Sequence, residues 1–494
     1  MAAWLVNMMT SHPPLMIRIS KLATSGLLVA SLLFAASLQA ADITWTGEVN
    51  GQWTEDRNWN VGVPTSSDNA LIQTGTVYLN ATAAARSLNV ASTVGVSATL
   101  FIQDGASLSV GSAAPSLIGT GNGATGIVTQ TGGFATFANA LTLGGSGSTA
   151  GGNGSWTISG GSLTVTGSSG LRLSGNTGGT ASTSQFTQSG GTVALTNLTV
   201  GAARYGAIGS SNNATYTISG GDLSISGNFT HGTSGTGGSA AVAATTEVIG
   251  SSATINVGGN LTLNNNSRNT STLSYAIDDG GVSTINVTGN ATLAGTLGAG
   301  LKGGLTLTRT NEFTLVNAGG TLTSDFATGP DSSLWTTTTA SGALKLTLAS
   351  SARKATLAAV DNTTVGTGAF AAATTGFVEI TGLTTGQELT LYLNADAGTG
   401  KTIDDLAAWF TDNGVAATAL AGMDGYNLSI SKTAADSTAW LAWDLSAFNA
   451  DATLSAIGLA TAAVPEPAAW TAIAALALLA CVVARRLKGA TTSG

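Results

Sequence analysis

Cysteine and histidine are nearly missing from this chain of 494 residues, which holds one Cys and two His. Cys481 lies in a C-terminal apolar stretch and His12 precedes an N-terminal one, so the body between them keeps only His231. This excludes disulfides, thiolate nucleophiles, Cys/His zinc sites and Ser-His-Asp triads together. Charge is also scarce, at 9% of residues, and 17 basic against 25 acidic groups leave a net −8. That balance argues against nucleic-acid binding. Between Ala106 and Thr246 the charged residues are Arg172, Arg204 and Asp222 alone. Such a stretch does not supply the clustered carboxylates or calcium site of a polysaccharide lyase or hydrolase. What is abundant is Gly, 67 residues, beside a 43% hydrophobic content. Many short turns joining short apolar strands fit this composition, and a disordered polymer does not.

The two ends read as addresses. Arg18 and Lys21 precede the apolar stretch Leu22 to Leu38, and small residues follow up to Ala40. This predicts a secretory signal over residues 1–40, with Met16 as an alternative start that gives the usual short basic leader. At the other end, Val464-Pro465-Glu466-Pro467 is followed by Ala468 to Ala484 without charge, then by Arg485-Arg486-Leu487-Lys488. Those seventeen residues are at the short end of what spans a bilayer. The basic cluster predicts a cytoplasmic end, which leaves the body on the far side.

The Pro-Glu-Pro triplet, a single hydrophobic segment and a terminal basic cluster together resemble the PEP-CTERM sorting signal. The resemblance covers about the last thirty residues, 464–488 at its core. It implies recognition of Val464, Pro465, Glu466 and Pro467 by an exosortase-type membrane protease, with Arg485, Arg486 and Lys488 as stop-transfer charges. It also implies a Gram-negative bacterium that makes exopolysaccharide, and an inner-membrane precursor of a secreted or surface protein.

The middle of the chain repeats. Glycines fall at Gly105, Gly132, Gly160, Gly190, Gly220, Gly250 and Gly280, the last four intervals being thirty residues. Trp156-Thr157-Ile158-Ser159-Gly160-Gly161-Ser162-Leu163-Thr164-Val165 matches Tyr216-Thr217-Ile218-Ser219-Gly220-Gly221-Asp222-Leu223-Ser224-Ile225 in its alternation on both sides of the glycines. Five residues after the first glycine stand Phe137, Val165, Leu195, Ile225, Ile255 and Ile285. A third short strand follows, as in Leu141-Thr142-Leu143 and Leu171-Arg172-Leu173. Three strands per unit, each stacked on its counterpart in the next, predict a right-handed parallel β-helix over 42–350 with about 30-residue coils. Asn264, Asn265, Asn266, Gln130 and Gln188 are natural candidates for side-chain ladders.

Exposed coil ends need caps. Trp45, Trp53 and Trp59, with Gly62 and Pro64, resemble the opening of secreted autotransporter-like repeat proteins, and Phe313 to Gly320 resembles their closing coil. The three tryptophans fit the core of an N-terminal cap. They are also the candidates for a platform that stacks on sugar rings, with Glu55, Asp56 and Asp68 nearby. Asp104 and the Asp278-Asp279 pair are weak calcium candidates, more simply read as turn residues.

Residues 354–462 carry Trp409, Trp440 and Trp443 and more charge than the rod, and predict a small β-rich domain with one helix. Ala395-Asp396-Ala397-Gly398-Thr399-Gly400-Lys401-Thr402 matches a relaxed P-loop, with Trp440 to Asp444 passing for a Walker-B strand. The segment is short for a nucleotide-binding domain and lies beyond an export signal, so a Gly-rich turn with Thr402 capping a helix is the better reading. The expectation is therefore a mainly β, non-enzymatic structural or adhesive protein of the cell envelope or exopolysaccharide matrix. It needs no cofactor, metal or nucleotide, and it ends in a transmembrane helix. A carbohydrate-binding adhesin is the alternative, and a polysaccharide lyase or hydrolase is the weaker third.

Overall fold

The computed structural model describes residues 40–145, 151–174, 182–202, 211–232, 241–266, 269–358, 366–423 and 425–461. These residues are mainly β, a parallel β-solenoid of about ten turns followed by a β-rich domain in which one α-helix is described. At about 4.8 Å per turn, the solenoid is a rod roughly 50 Å long. The expected signal segment 1–40 and the tail residues 464–488, with the predicted spanning helix, lie outside the described residues, Ala40 excepted. Among the described residues no helix is long and apolar enough to cross a membrane.

Each coil contributes three strands. In one coil these are Asn153–Ile158, Ser162–Val165 and Leu171–Ser174, and each pairs in parallel with its counterpart in the next coil. The alternation of the sequence sets the faces, since every second side chain points inward. Val128, Trp156, Phe186 and Tyr216 form one buried column in direct register, and the Phe186 and Tyr216 rings stack 5.0 Å apart.

The paired glycines turn the corner between the first two strands for two different reasons. The second of each pair is left-handed, as at Gly161 (φ +74°) and Gly221 (φ +78°). The first lies against the coil below, where a Cβ on Gly160 would sit 2.4 Å from the Thr131 carbonyl oxygen. Neither position accepts another residue without strain.

The coil length stays near thirty residues but is not constant, and one change is visible in the second-strand column. Phe137, Val165, Leu195 and Ile225 stand in register, but Ile225 pairs with Val257, and Ile255 pairs with Leu223. Two extra residues enter that coil. A shift of two keeps the inward set inward, so both columns stay buried.

The expected ladders sit elsewhere. Gln130 and Gln188 are separated in their column by Ile158. Each instead reaches a carbonyl of the next coils, Gln130 Nε2 to Ser162 O at 2.9 Å and Gln188 Nε2 to Asp222 O at 3.1 Å. Asn264 Nδ2 donates to His231 O at 2.9 Å and lies 3.5 Å from Gly232 O, contacts to backbone carbonyls of the coil below rather than to another asparagine. The ladder the sequence reading missed is Asn197, Asn228, Asn260 and Asn290. Each Oδ1 accepts the backbone N–H of the next rung, ending on Thr321, at 2.7 to 2.9 Å.

Both rod ends carry added structure. The loop that carries Trp45, Trp53 and Trp59 closes the N-terminal end, with Gln52 bridged to the strand Gly75–Leu79 through Tyr78. At the far end the strand Glu312–Ala318 stacks in parallel on Ile285–Val287 and then pairs antiparallel with Ala343–Leu348, which pairs with Trp335–Ala340.

The distal domain has two sheets around a shared core. One holds Leu305–Thr308, Thr438–Asp444, Thr375–Thr381 and Arg353–Ala358. The other holds Gly366–Ala373, Thr453–Thr461, Glu388–Asp396, Tyr426–Thr433 and Ala417–Met423. The helix Ile403–Asp412 buries Leu406, Ala407 and Phe410 against them. The strand Leu305–Thr308 falls inside the span expected for the rod, yet it belongs to this domain. The chain therefore crosses into the distal sheet, returns to close the rod, and crosses again.

Candidate functional site

The tryptophan platform does not form. Trp45, Trp53 and Trp59 are 3%, 0% and 4% exposed, so no ring face is open to a sugar. They pack edge to face, with Trp45–Trp59 centroids 5.0 Å apart and Trp53–Trp59 4.9 Å apart. Trp59 Nε1 donates to Trp53 O at 2.7 Å. Burying apolar rings against the first coil is worth more than leaving them wet, and it seals the rod end. The carboxylates beside them also serve local structure. Glu55 accepts from Arg57 at 2.9 Å, which holds its carboxyl below the usual range. Asp68 accepts from the Thr65 hydroxyl at 2.6 Å.

The calcium candidates are turn and joint residues. Asp278 accepts from Gly280 N at 3.0 Å and from Ser251 Oγ at 3.1 Å. Asp279 binds Lys432 Nζ at 2.7 Å and Leu307 N at 2.8 Å, both within the distal domain. Asp104 lies over Gly132, where a Cβ would meet its Oδ1 at 1.8 Å. Among the described residues no three His, Cys, Asp or Glu side chains gather as a metal site.

His231, the one histidine of the body, is fully buried in the rod. Its Nε2 lies 2.7 Å from Thr246 Oγ1 and its ring packs edge-on to Phe229. Desolvation pushes its imidazole down to about 3 from an ordinary 6.5. A group so buried and so far from its ordinary titration range is a packing element rather than an acid or base at a surface.

The P-loop-like segment forms a strand, a turn and a helix, as the pattern suggests, but with other roles for its polar groups. Asp396 ends the strand and its Oδ1 accepts from Gly398 N at 2.9 Å. Gly398 and Gly400 take φ +79° and +75°. Thr402 caps the helix by accepting from Asp405 N at 3.1 Å, and Asp405 Oδ2 accepts back from Thr402 N at 2.8 Å. Hydrogen bonds from the Thr402 backbone and hydroxyl hold the Asp405 carboxyl below its usual range. With Asp404 and Asp405 in the first turn, this helix start repels a phosphate rather than cradling one. The strand Thr438–Asp444, with its buried Trp443, lies in the other sheet, and Asp444 accepts from Ser446 N and Oγ.

The same segment borders a polar cleft. The cleft, of about 520 Å³, runs between the helix start and the strand pair Glu388–Asp396 and Thr453–Thr461. Asn394, Asp396, Lys401, Thr402, Thr453 and Ser455 give it a polar lining. Lys401 Nζ stands 5.8 Å from the centroid of the Phe448 ring. The sequence names Asp396 and Lys401 only within a phosphate-like motif and Thr402 as a helix cap, which it is. The strand ends that complete the cleft come together through pairing over more than fifty residues, which no local pattern announces.

No protein-family model, no curated protein and no solved structure matches this chain.

Proposed function

We propose that the protein is a secreted, non-enzymatic structural or adhesive component of the cell envelope or exopolysaccharide matrix of a Gram-negative bacterium. In this reading an exosortase-type membrane protease sorts it through Pro465-Glu466-Pro467. The segment Ala468 to Ala484 is then a transmembrane helix that holds the precursor in the inner membrane, with Arg485, Arg486 and Lys488 inside. The coil is right-handed, the hand taken by nearly all parallel crossover connections.

The observation that carries this reading is the capped solenoid. A rod about ten turns long, closed at one end by a tryptophan plug and joined at the other to a β-domain, suits a stalk. Polar side chains stitch coil to coil, on the surface in the asparagine ladder and in the interior at Gln130 and Gln188. Stability of such a stack grows by neighbour contacts and needs no ligand.

One epitope tag in a rod loop and a second after Lys488 test the sorting. Cell fractionation should find the rod tag at the surface or in the medium and the tail tag in the inner membrane. If both tags stay together in the inner membrane, the tail is an anchor only and the matrix reading falls.

The polar cleft of the distal domain favours a second reading, a carbohydrate-binding adhesin. Here Lys401, Asp396 and Asn394 are the contact groups rather than the buried tryptophans. Retention on immobilised exopolysaccharide that disappears with Lys401→Ala, in a folded protein, supports it. Retention unchanged by that substitution removes it.

A further inference from the structure

The strand Trp335–Ala340 ends the eleven-stranded sheet of the rod, and among the described residues its outer edge pairs with no strand. Thr336, Thr337, Thr338, Thr339 and Ala340 are all exposed. Soluble proteins normally blunt such an edge with lysine, proline or a bulge. Here there is none of these. No residue from Ser332 to Leu344 is charged or a proline, and the pairing with Ala343–Leu348 runs without a register shift. Four consecutive β-branched residues hold the strand extended and flat.

The direction of its backbone groups follows from the hairpin. Ala340 and Ala343 flank the two-residue turn Ser341-Gly342, at φ +52° and +77°, the conformation of a tight hairpin turn. Residues that close such a turn exchange both ladder bonds, and the pairs then alternate along the strand. Thr336 and Thr338 therefore spend their N–H and C=O groups on Thr347 and Lys345. Thr337 and Thr339 aim theirs outward. Leu348 agrees with this alternation, since its N–H turns away from the edge strand to Asn311 O at 2.9 Å.

We propose that this edge is a homodimerisation site, at which two copies of the chain pair antiparallel about a two-fold axis through Thr338. In that register Thr337 of one copy exchanges both backbone bonds with Thr339 of the other, and the reverse, which uses all four outward groups. The two Thr338 residues face one another as a non-hydrogen-bonded pair. A second copy is the occupant that fits. The pattern is its own complement about Thr338, the strand itself carries no charge, and the nearest charge, Lys345 opposite Thr338, is already paired with Glu312. A chain of net charge −8 also repels its own copy wherever acidic groups face each other, and this uncharged edge is where two copies can approach. The new pairing continues a sheet already built by edge-to-edge stacking. A contact of this length buries less than the ~1,000 Å² of a stable complex, so the dimer is weak and forms where the protein is crowded.

The test uses the full chain with Cys481→Ser, so that engineered thiols stand alone. Facing non-hydrogen-bonded residues lie about 4.5 Å apart at Cα, within disulfide range. Thr338→Cys should give a disulfide-linked dimer under mild oxidation. Thr336→Cys, roughly 14 Å from its mate at about 3.4 Å per residue, should give at least tenfold less. Sedimentation of the cysteine-free chain should show a concentration-dependent dimer. Thr337→Pro removes an outward N–H without costing the hairpin a bond, and Thr337→Lys places like charges together. Both should leave the circular dichroism unchanged and the protein monomeric. Equal cross-linking at the two positions, a monomer at all concentrations, or assembly indifferent to both Thr337 variants would overturn the proposal. Growth beyond a dimer would overturn it too, in favour of head-to-tail stacking of rods.

Discussion

Lys432 Nζ lies 2.7 Å from Asp279 Oδ2, although 153 residues separate them and they belong to different bodies of the fold. Asp279 sits on a turn of the rod, and its other oxygen accepts from Leu307 N at 2.8 Å. Leu307 lies on the strand that the rod segment lends to the distal sheet. One carboxylate thus holds both the crossing strand and the strand Tyr426–Thr433 that carries Lys432, and it fixes how the domain sits on the end of the stalk.

Removing that carboxylate should loosen the joint and leave the rod intact. The Lys432 side chain is 10% exposed and the Asp279 side chain 49%, so solvent screens part of the attraction. Asp279→Ala should cost about 1–2 kcal/mol, through the lost charge-assisted hydrogen bonds to Lys432 and Leu307. Asp279→Asn, which can still accept from Leu307, should cost less. Urea unfolding followed separately in the distal domain and the rod reads the difference. An equal loss in both bodies would mean that Asp279 stabilises the rod turn instead.

The asparagine ladder predicts a local, graded effect. Asn228 Oδ1 accepts from Asn260 N at 2.9 Å, while Asn228 N donates to Asn197 Oδ1 at 2.7 Å. Asn228→Ala leaves the Asn260 N–H without its acceptor and should cost about 1 kcal/mol, with faster exchange at that amide. Asn228→Asp keeps an acceptor and should cost less. Gly259→Ala should be worse than either, because its Cβ would sit 2.6 Å from Asn228 Oδ1. Hydrogen exchange and urea melts of the three variants check the order.

What the sequence shows of this fold is what repeats. The glycine period exposes the coils, because each corner needs the same backbone at Gly161, Gly191 and Gly221. The inward columns follow from alternation alone. The slip at Ile225 is invisible in that pattern, because a two-residue insertion preserves it. The Asn197 to Asn290 ladder was missed for a related reason. Its members are single asparagines spaced 31, 32 and 30 residues apart, while the run Asn264-Asn265-Asn266 draws the eye. Long-range pairings were illegible altogether. Nothing near Leu305–Thr308 indicates that its partner is Trp440–Trp443, more than 130 residues later. The tryptophans were readable as residues that must be buried or bound to something, and the rod end decides in favour of burial.

His231 should make the rod sensitive to acid. Its folded value of about 3 lies below the unfolded 6.5, so between those limits the unfolded chain binds the extra proton. Stability therefore rises with pH across this window. It is fully present above about pH 6.5, is lost progressively as pH falls, and levels off below about 3. The slope approaches about 1.4 kcal/mol per pH unit where only the unfolded state is protonated. His231→Leu fills similar space without the imidazole. Urea midpoints measured from pH 7 to pH 4 should fall less steeply in this variant than in the parent. Parallel slopes would show that the histidine does not control acid stability.

Trp53 distinguishes a plug from a platform. Its ring is fully buried against Trp59, and its carbonyl accepts the Trp59 indole N–H. Trp53→Ala should cost about 3–5 kcal/mol, as for other large aromatic truncations. It should also uncover the first strands, Asp42–Thr44 and Gly75–Leu79, whose outer edges are then free to pair with other chains. Lower urea resistance together with rising light scattering is the expected result. Any loss of polysaccharide retention should follow the loss of fold, with the same midpoint in urea. A Trp53→Ala protein that keeps its stability yet no longer binds polysaccharide would return the tryptophans to a sugar-binding role, because only an exposed ring can be removed at so little structural cost.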